Sequence, residues 1–197
     1  MKFCIKKCIF ARLIYLKMFK SIILFFRNRK IRKNLQQKRL MQFPDINKYP
    51  IITILVGENQ KKNIKEMESF LKMSFNPKRV RFIILSDILP ENILQSDFMV
   101  FIQKDDFNKL GVLKSEKEEV LRTFSDDIFI NLFDKNDDLL NDYIVSYIKS
   151  SFRVGHPKVN MKLHDLIIDY GIEKSDVGRL KILYKYILML SGNKNEK

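Results

Sequence analysis

Short apolar runs alternate along this chain with segments in which apolar residues recur at helical spacing. The clearest example spans residues 126–156, where an apolar run at 128–133, broken only by Asn131, precedes an acidic loop and a helical stripe containing Tyr143 and Tyr147. A continuous apolar run predicts a strand buried on both faces, as in the interior of a parallel sheet. A second apolar run follows at 152–154, and the whole segment has the length of a strand–helix–strand crossover.

The same alternation extends over the rest of the chain and predicts its architecture. Predicted strands lie at 51–56, 80–85, 97–102, 128–133, 152–154 and 163–170, and predicted helices at 64–71, 115–124, 137–149 and 175–192. Strands that alternate with helices predict an α/β, Rossmann-like layered sheet, mostly parallel, of five or six strands with helices on both faces. Pro44 and Pro50 mark the boundary between a helical arm, residues 1–42, and a single α/β domain, residues 43–197.

Three local patterns make sharper predictions. Alternation along the strand at 128–133 places Asn131 in an apolar layer, where we expect it to bond to backbone groups of a neighbouring strand end or to the acidic loop that follows. Gly155 precedes an abrupt change to polar residues, which predicts a backbone conformation that other residues avoid. Ser115 and Glu118 have the spacing of a capping box at the start of a helix.

The positive charge of the chain is concentrated in the arm. The net charge is +14, and residues 1–42 contain 13 Lys or Arg and no Asp or Glu. The remaining residues contain 24 basic and 23 acidic side chains, so the α/β domain is nearly neutral. Cys4 and Cys8 are the only cysteines, which excludes a disulfide framework and favours a reducing, cytoplasmic compartment.

The arm has an apolar segment followed by a basic one. Arg12, Lys17 and Lys20 interrupt the apolar segment at 9–26, so a membrane-spanning helix is not predicted, and no small-residue cleavage site of a secretory signal follows it. The order suits a helix lying on an anionic membrane surface, without excluding other arrangements. Two alternatives are a contact with nucleic-acid phosphates and a helix packed on the domain with a solvated basic face. The candidate contact residues are Lys20, Arg27, Arg29, Lys30, Arg32 and Lys33.

Candidate chemistry lies in the loops that follow the predicted strands, because ligands of open parallel sheets bind beyond the carboxyl ends of the strands. Converging acids could hold a divalent cation there, although polar loops and helix caps also use Asp. The first such loop, VGENQKK, matches neither a dinucleotide-binding fingerprint nor a phosphate-binding P-loop, and no cofactor is predicted. Arg153 is a candidate anion contact, if it does not simply point outward from an edge strand. The candidate ligand or metal residues are Asp105, Asp106, Asp134 and His156.

Three segments carry a resemblance to a known family. KDDFNKLG at 104–111, SSFRVGH at 150–156 and LHDLIIDY at 163–170, followed by a terminal helix rich in Lys, Leu and Tyr, resemble an uncharacterised α/β domain family of Bacteroidota. The resemblance spans about residues 20–190 and implies a basic N-terminal helix ahead of a small α/β domain. Members usually have an aromatic residue after Asp-Phe-Asn, where this chain has Lys109 and Leu110. The family has no established activity, so the resemblance implies fold and lineage.

A second similarity concerns residues 127–155, which resemble the strand–helix–strand of the amino-terminal half of heptosyltransferase-like glycosyltransferases. Those enzymes need a second domain and a first loop rich in Gly and Asp, and the GENQKK loop of this chain differs from it. The similarity implies a shared Rossmann-like architecture, since fold alone does not define function.

Together these patterns favour a non-enzymatic α/β binding or scaffold module in the cytoplasm, associated peripherally with the inner membrane through its basic arm. One alternative is a small metal-dependent enzyme, or a degenerate glycosyltransferase-like domain, that uses the acids at the strand ends. A second alternative is an RNA-associated protein that binds through the arm.

Overall fold

A six-stranded parallel sheet forms the centre of the domain, with the strand order β3–β2–β1–β4–β5–β6. The computed structural model describes residues 2–37, 39–86, 98–133 and 138–192, without the side chains of residues 2–17, 138, 139 and 192. The strands are β1 Ile51–Gly57, β2 Arg79–Leu85, β3 Met99–Ile102, β4 Ser125–Asn131, β5 Lys149–Gly155 and β6 Leu166–Ile167. The helices are α1 Lys2–Leu35, α2 Ile64–Phe75, α3 Ser115–Arg122, α4 Asp138–Val145 and α5 Asp176–Gly192.

The sheet separates two apolar cores, because successive side chains of each buried strand point to opposite faces. On one face Ile54 of β1 and Ile130 of β4 pack with residues of α2 and α5. On the other face Leu55 and Phe129 pack with residues of α3 and α4 and with Ile31 of α1. The predicted Rossmann-like α/β class, with a parallel sheet and helices on both faces, is confirmed.

The strand order reverses at β1 and β4, which are neighbours in the middle of the sheet. The chain leaves β1 towards β2 and β3, and leaves β4 towards β5 and β6. In open parallel sheets the crevice for ligands lies at such a switch point, beyond the carboxyl ends of the strands. The fold therefore directs attention to the residues that follow β1, β2, β3 and β4.

Asn131 lies in the apolar layer that the alternation predicts. Its side chain is fully buried, and its amide Nδ2 donates to Asn141 Oδ1 at 2.9 Å and lies 3.2 Å from His164 Nε2. Its Oδ1 accepts from the Phe133 backbone N–H at 3.2 Å. Two of the partners are thus side chains of α4 and of the turn before β6, which differs from the predicted backbone and loop partners.

Other local predictions need correction. The predicted strand at 163–170 is reduced to β6, which pairs only with the end of β5 at the edge of the sheet. Helix α3 has Lys114 as its N-cap without a side-chain cap, so the capping box of Ser115 and Glu118 is wrong. Gly155 does not have a positive φ angle; it is required because a Cβ there would lie 2.6 Å from a Val159 methyl group. The predicted third strand begins at Asp97, which lies outside the described residues.

Candidate functional site on helix α1 and at the carboxyl edge

Helix α1 packs on the domain through one of its faces, and cationic side chains on that face contact the domain. Arg27 donates from Nε to the Gly111 carbonyl at 2.8 Å, and its guanidinium lies 5.1 Å from the ring centre of Phe107 and 5.7 Å from that of Tyr143. Contacts of this kind combine a hydrogen bond with cation–π attraction. Arg27 therefore anchors the helix on the loop that follows β3 and on α4.

A second set of contacts lies one turn and two turns further along the same face. Lys30 Nζ lies 3.1 Å from Glu118 Oε2, and Arg122 donates to the other oxygen of that carboxylate at 2.8 Å. Burial acts to raise the pKa of Glu118, but hydrogen bonds from Arg122 and Lys30 outweigh it and lower that pKa. Asn34 is buried and donates to the Ser146 hydroxyl at 3.0 Å. These polar contacts explain why Glu118 does not cap its own helix.

Between residues 18 and 35, the opposite face of α1 is exposed, with apolar side chains first and basic side chains after them. Met18, Ile22 and Phe25 share that face at helical spacing, with exposures of 60%, 42% and 62%. Basic side chains continue the same face towards the end of the helix, and all of them are exposed; they are Arg29, Arg32 and Lys33.

The structure thus divides the six basic residues that the sequence singled out. Arg27 and Lys30 hold α1 on the domain, whereas Lys20, Arg29, Arg32 and Lys33 are exposed. Sequence alone could not make this division, because all six have the same chemistry and the docking stripe is defined by the loop and helices that it meets. Within the described part of the chain, no helix is both long and apolar enough to cross a membrane.

A cavity of about 580 Å³ lies between α1 and the carboxyl ends of the strands. Phe19, Ile23 and Arg27 of α1 line one side of it. The other walls combine strand-end side chains with the loop at 103–111, and the apolar ones among them include Leu85, Ile102 and Phe133. The cavity therefore lies at the edge of the sheet where the fold predicts a ligand.

The candidate acids occupy different environments at this edge. Asp105 is exposed and lines the cavity. Asp106 accepts a 2.8 Å hydrogen bond from the Gln103 N–H, which it caps, and lies 3.6 Å from Lys117 Nζ. Asp134 lies outside the described residues. Among the side chains that the structure describes, no three His, Cys, Asp or Glu residues are grouped closely enough to hold a metal ion.

His156 lines a separate cavity of about 170 Å³ beyond the end of β5. It is buried, with Nε2 at 3.0 Å from the Phe133 carbonyl oxygen, and its Nδ1 accepts from the Lys158 N–H at 3.3 Å. These two contacts suit a ring that carries a proton on Nε2. The residue therefore links the ends of β4 and β5 rather than joining Asp105 at the larger cavity.

Arg153 is buried rather than directed outward from an edge strand, so that expectation is wrong. Its guanidinium donates to the Ser150 hydroxyl at 3.2 Å, to the Leu163 carbonyl at 3.4 Å and to the Ile148 carbonyl. Burial, with a further contribution from Arg39, lowers the pKa of Arg153 to about 10. Because the guanidinium of Arg153 donates to protein oxygens, the structure does not favour the predicted role of Arg153 as an anion contact.

One polar cluster at the carboxyl edge was not predicted as a unit. Glu58, immediately after β1, accepts a hydrogen bond from the Ser86 hydroxyl at the end of β2, and Lys61 lies 3.4 Å from the other Glu58 oxygen. Ser86 also lines the larger cavity. The sequence signal was the position of Glu58 directly after an apolar run, but the pairing with Ser86 requires the parallel alignment of β1 with β2.

The fold and these surfaces define a small Rossmann-like α/β domain that carries a docked basic helix and a cavity at the sheet edge. The chain belongs to the family of unknown function DUF6913, which matches residues 24–190. Membership in an uncharacterised domain family, as the sequence resemblance implies, is confirmed at that level. No functionally curated protein matches the sequence.

A glycosyltransferase, GlyE of Streptococcus pneumoniae TIGR4, shows a distant structural similarity. The TM-score is 0.35 and the sequence identity 11%, over 75% of this chain and 34% of the enzyme chain. The chain thus spans about a third of that enzyme's length, and the similarity is too weak to support an argument about activity.

Proposed function

We propose that this chain is a non-enzymatic α/β binding module that attaches peripherally to an anionic membrane surface, on its cytoplasmic side, through the outer face of helix α1. The observation that carries the proposal is the division of α1 into two faces. One face is held on the domain through Arg27, Lys30 and Asn34, and the other exposes apolar and then basic side chains. This order matches a helix that inserts apolar side chains between headgroups and places cations against anionic lipids.

The energies involved are sufficient for reversible attachment. Each basic residue near an anionic surface contributes about 1 kcal/mol, so Arg29, Arg32 and Lys33 together supply ~3 kcal/mol. Burying an apolar side chain fully contributes about 1.5–3 kcal/mol, of which an interfacial helix recovers a part for Met18, Ile22 and Phe25. Because α1 is already docked and helical, binding does not have to fold it. Because the α/β domain is nearly neutral, its own charge adds little attraction to, or repulsion from, an anionic membrane.

A partition experiment with the full chain tests this function. We expect co-sedimentation with vesicles of phosphatidylcholine and phosphatidylglycerol, and much weaker co-sedimentation with vesicles of phosphatidylcholine alone, because the basic face requires anionic headgroups. Binding should weaken with added salt. Retention on single-stranded RNA without binding to anionic vesicles would contradict the proposal and favour the nucleic-acid alternative.

The enzyme alternative makes a different prediction and has its own test. A metal site formed by Asp105, Asp106 and Asp134 predicts saturable heat on titration with millimolar Mn²⁺, and loss of that heat in Asp105→Asn. The binding-module proposal predicts no such heat in either protein. Specific binding lost in the variant would favour the metal-dependent enzyme, whether or not its chemistry is glycosyl transfer.

A further inference from the structure

We infer that the cavity beneath helix α1 binds a small amphiphilic anion, an apolar body that carries one carboxylate or phosphate group. The inference goes beyond membrane attachment and does not require it. It rests on the position of the cavity at the carboxyl edge of the parallel sheet, on its volume of about 580 Å³ and on the distribution of charge around it. Small-molecule sites have volumes of about 300–1,000 Å³ and combine a mainly apolar lining with a few polar groups.

The lining is apolar on opposite sides. Ile23 of α1 faces a surface to which Leu85, Ile102 and Phe133 contribute from the ends of β2, β3 and the segment after β4. These strand-end residues are buried, with exposures of 5%, 3% and 2%, so the apolar wall is part of the core rather than a mobile surface. An apolar body placed against this wall is itself removed from water, which favours binding.

The charged residues of the lining favour an anion. Among the described residues of the lining, three are cations, Arg27, Lys104 and Lys109, and one is a carboxylate, Asp105. Arg27 is fixed by its Nε hydrogen bond to Gly111 and by its position over Phe107, so this cation is preorganised at the wall. The two lysines are exposed, which places them where the anionic group of a bound molecule meets water. A fixed cation and two flexible ones suit a single anionic headgroup.

The ligand would also stabilise the docked state of α1. Ile23 and Arg27 belong to α1, whereas Lys104 and Lys109 belong to the loop after β3, so a molecule in the cavity contacts both sides of this junction. A ligand that binds only the docked form raises its stability by mass action. We therefore expect an increase in melting temperature on binding.

Isothermal calorimetry with decanoate and decyl phosphate below their micelle concentrations, without vesicles, tests the inference on the full chain. We expect saturable binding of at least one of them, with a rise in melting temperature, and no saturable binding of decanol or inorganic phosphate. Tighter binding of decyl phosphate assigns a phosphate-bearing ligand, and tighter binding of decanoate a carboxylate. Absence of binding by both anions, or equal binding of decanol, would overturn the inference.

Paired variants connect the binding to this cavity. Lys104→Gln/Lys109→Gln should weaken anion binding about tenfold, because both exposed cations that can pair with the anionic group are lost. The matched control, Lys174→Gln/Lys181→Gln, removes two exposed charges elsewhere and should leave affinity unchanged. If the two double variants bound the anions with equal affinity, the binding could not be assigned to this cavity. Substituting Gln for Arg29, Arg32 and Lys33 should leave amphiphile binding unchanged while reducing vesicle binding. The two measurements therefore test the cavity ligand and the membrane attachment separately.

Discussion

The side chain of Ile23 packs so closely on the backbone of Gly111 that a Cβ on residue 111 would lie 2.6 Å from the Ile23 Cγ2 atom. Gly111 also has a φ angle of +70° and accepts the hydrogen bond from Arg27 through its carbonyl oxygen. Glycine therefore serves two purposes at this position: it permits the left-handed conformation, and it lets α1 approach the loop after β3.

Gly111→Ala should destabilise the protein by about 2–5 kcal/mol. A left-handed conformation costs a non-glycine residue about 1–2 kcal/mol, and forced overpacking adds about 1–3 kcal/mol. The control is Gly171→Ala, which has a similar φ of +58° but nothing within 4 Å of the added methyl group. Urea unfolding should show the larger loss at residue 111, and Ile23→Ala should recover part of it. Equal losses at both glycines would mean that α1 does not pack there.

The general fold was predictable because the central strands are apolar on both faces. The apolar runs at 51–56 and 128–133 are interrupted only by Thr53 and Asn131, and no helical pattern competes with them. The length of the edge strand β6 was overpredicted. Residues 163–170 are apolar enough for a strand, but β5 is the one strand beside them, and only Leu166 and Ile167 pair with it.

The candidate surfaces were harder to predict because they depend on contacts between distant segments. Glu118 has the spacing of a cap, but Lys30 lies 88 residues away and only the fold brings the two together. The cavity is likewise formed by α1, three strand ends and a loop, none of which has a recognisable motif. The charge partition was visible in the sequence, and a helix packed on the domain was one of the alternatives that it left open. Which residues of the arm contact the domain, and which are exposed, was not visible there.

Asn131→Leu should be costly, although strand alternation alone predicts that it is well tolerated. The change leaves the Phe133 N–H, the Asn141 side-chain Oδ1 and the His164 Nε2 without the bonds that Asn131 provides. Each buried polar group left unpaired costs about 1–3 kcal/mol. Ile130→Ala, on the opposite face, should cost about 2–5 kcal/mol by opening a cavity in the closed core.

Denaturant unfolding of both variants measures these losses. A loss below about 1 kcal/mol for Ile130→Ala would contradict the closed packing of β4. A similarly small loss for Asn131→Leu would show that its polar partners find other hydrogen bonds.

His164 should make folding stability depend on pH. Burial lowers the pKa of His164 to about 4 from its ordinary 6.5, against a hydrogen bond to the Asn160 carbonyl that acts to raise it. Between these values the unfolded chain binds more protons than the native chain, so stability rises with pH. The contribution of neutral His164 to the free energy of unfolding is fully present above about pH 6.5 and is lost as the pH falls towards 4. The loss is at most about 3 kcal/mol.

Asp126 acts in the opposite sense over an overlapping range. Burial is the largest influence on it and raises the pKa of its carboxyl group to about 6, so its contribution is lost as the pH rises from about 4 through 6. Urea unfolding across this range should therefore compare the wild type with His164→Gln and with Asp126→Asn. On acidification, His164→Gln should lose less stability than the wild type, and Asp126→Asn should lose more. Parallel profiles for the wild type and His164→Gln would show that His164 does not titrate as its environment indicates.

The central claim, that the outer face of α1 binds an anionic membrane, is tested most directly by vesicle affinity in two charge-matched variants. Arg29→Gln/Arg32→Gln/Lys33→Gln removes three exposed cations from that face, and Lys174→Gln/Lys181→Gln/Lys185→Gln removes three exposed cations at and before α5. Neither set includes the residues that hold α1 on the domain. We predict that the first variant loses up to about a hundredfold in affinity for phosphatidylglycerol vesicles, while the second stays close to the wild type. Equal affinity of the two variants, or an equal loss in both, would contradict the account.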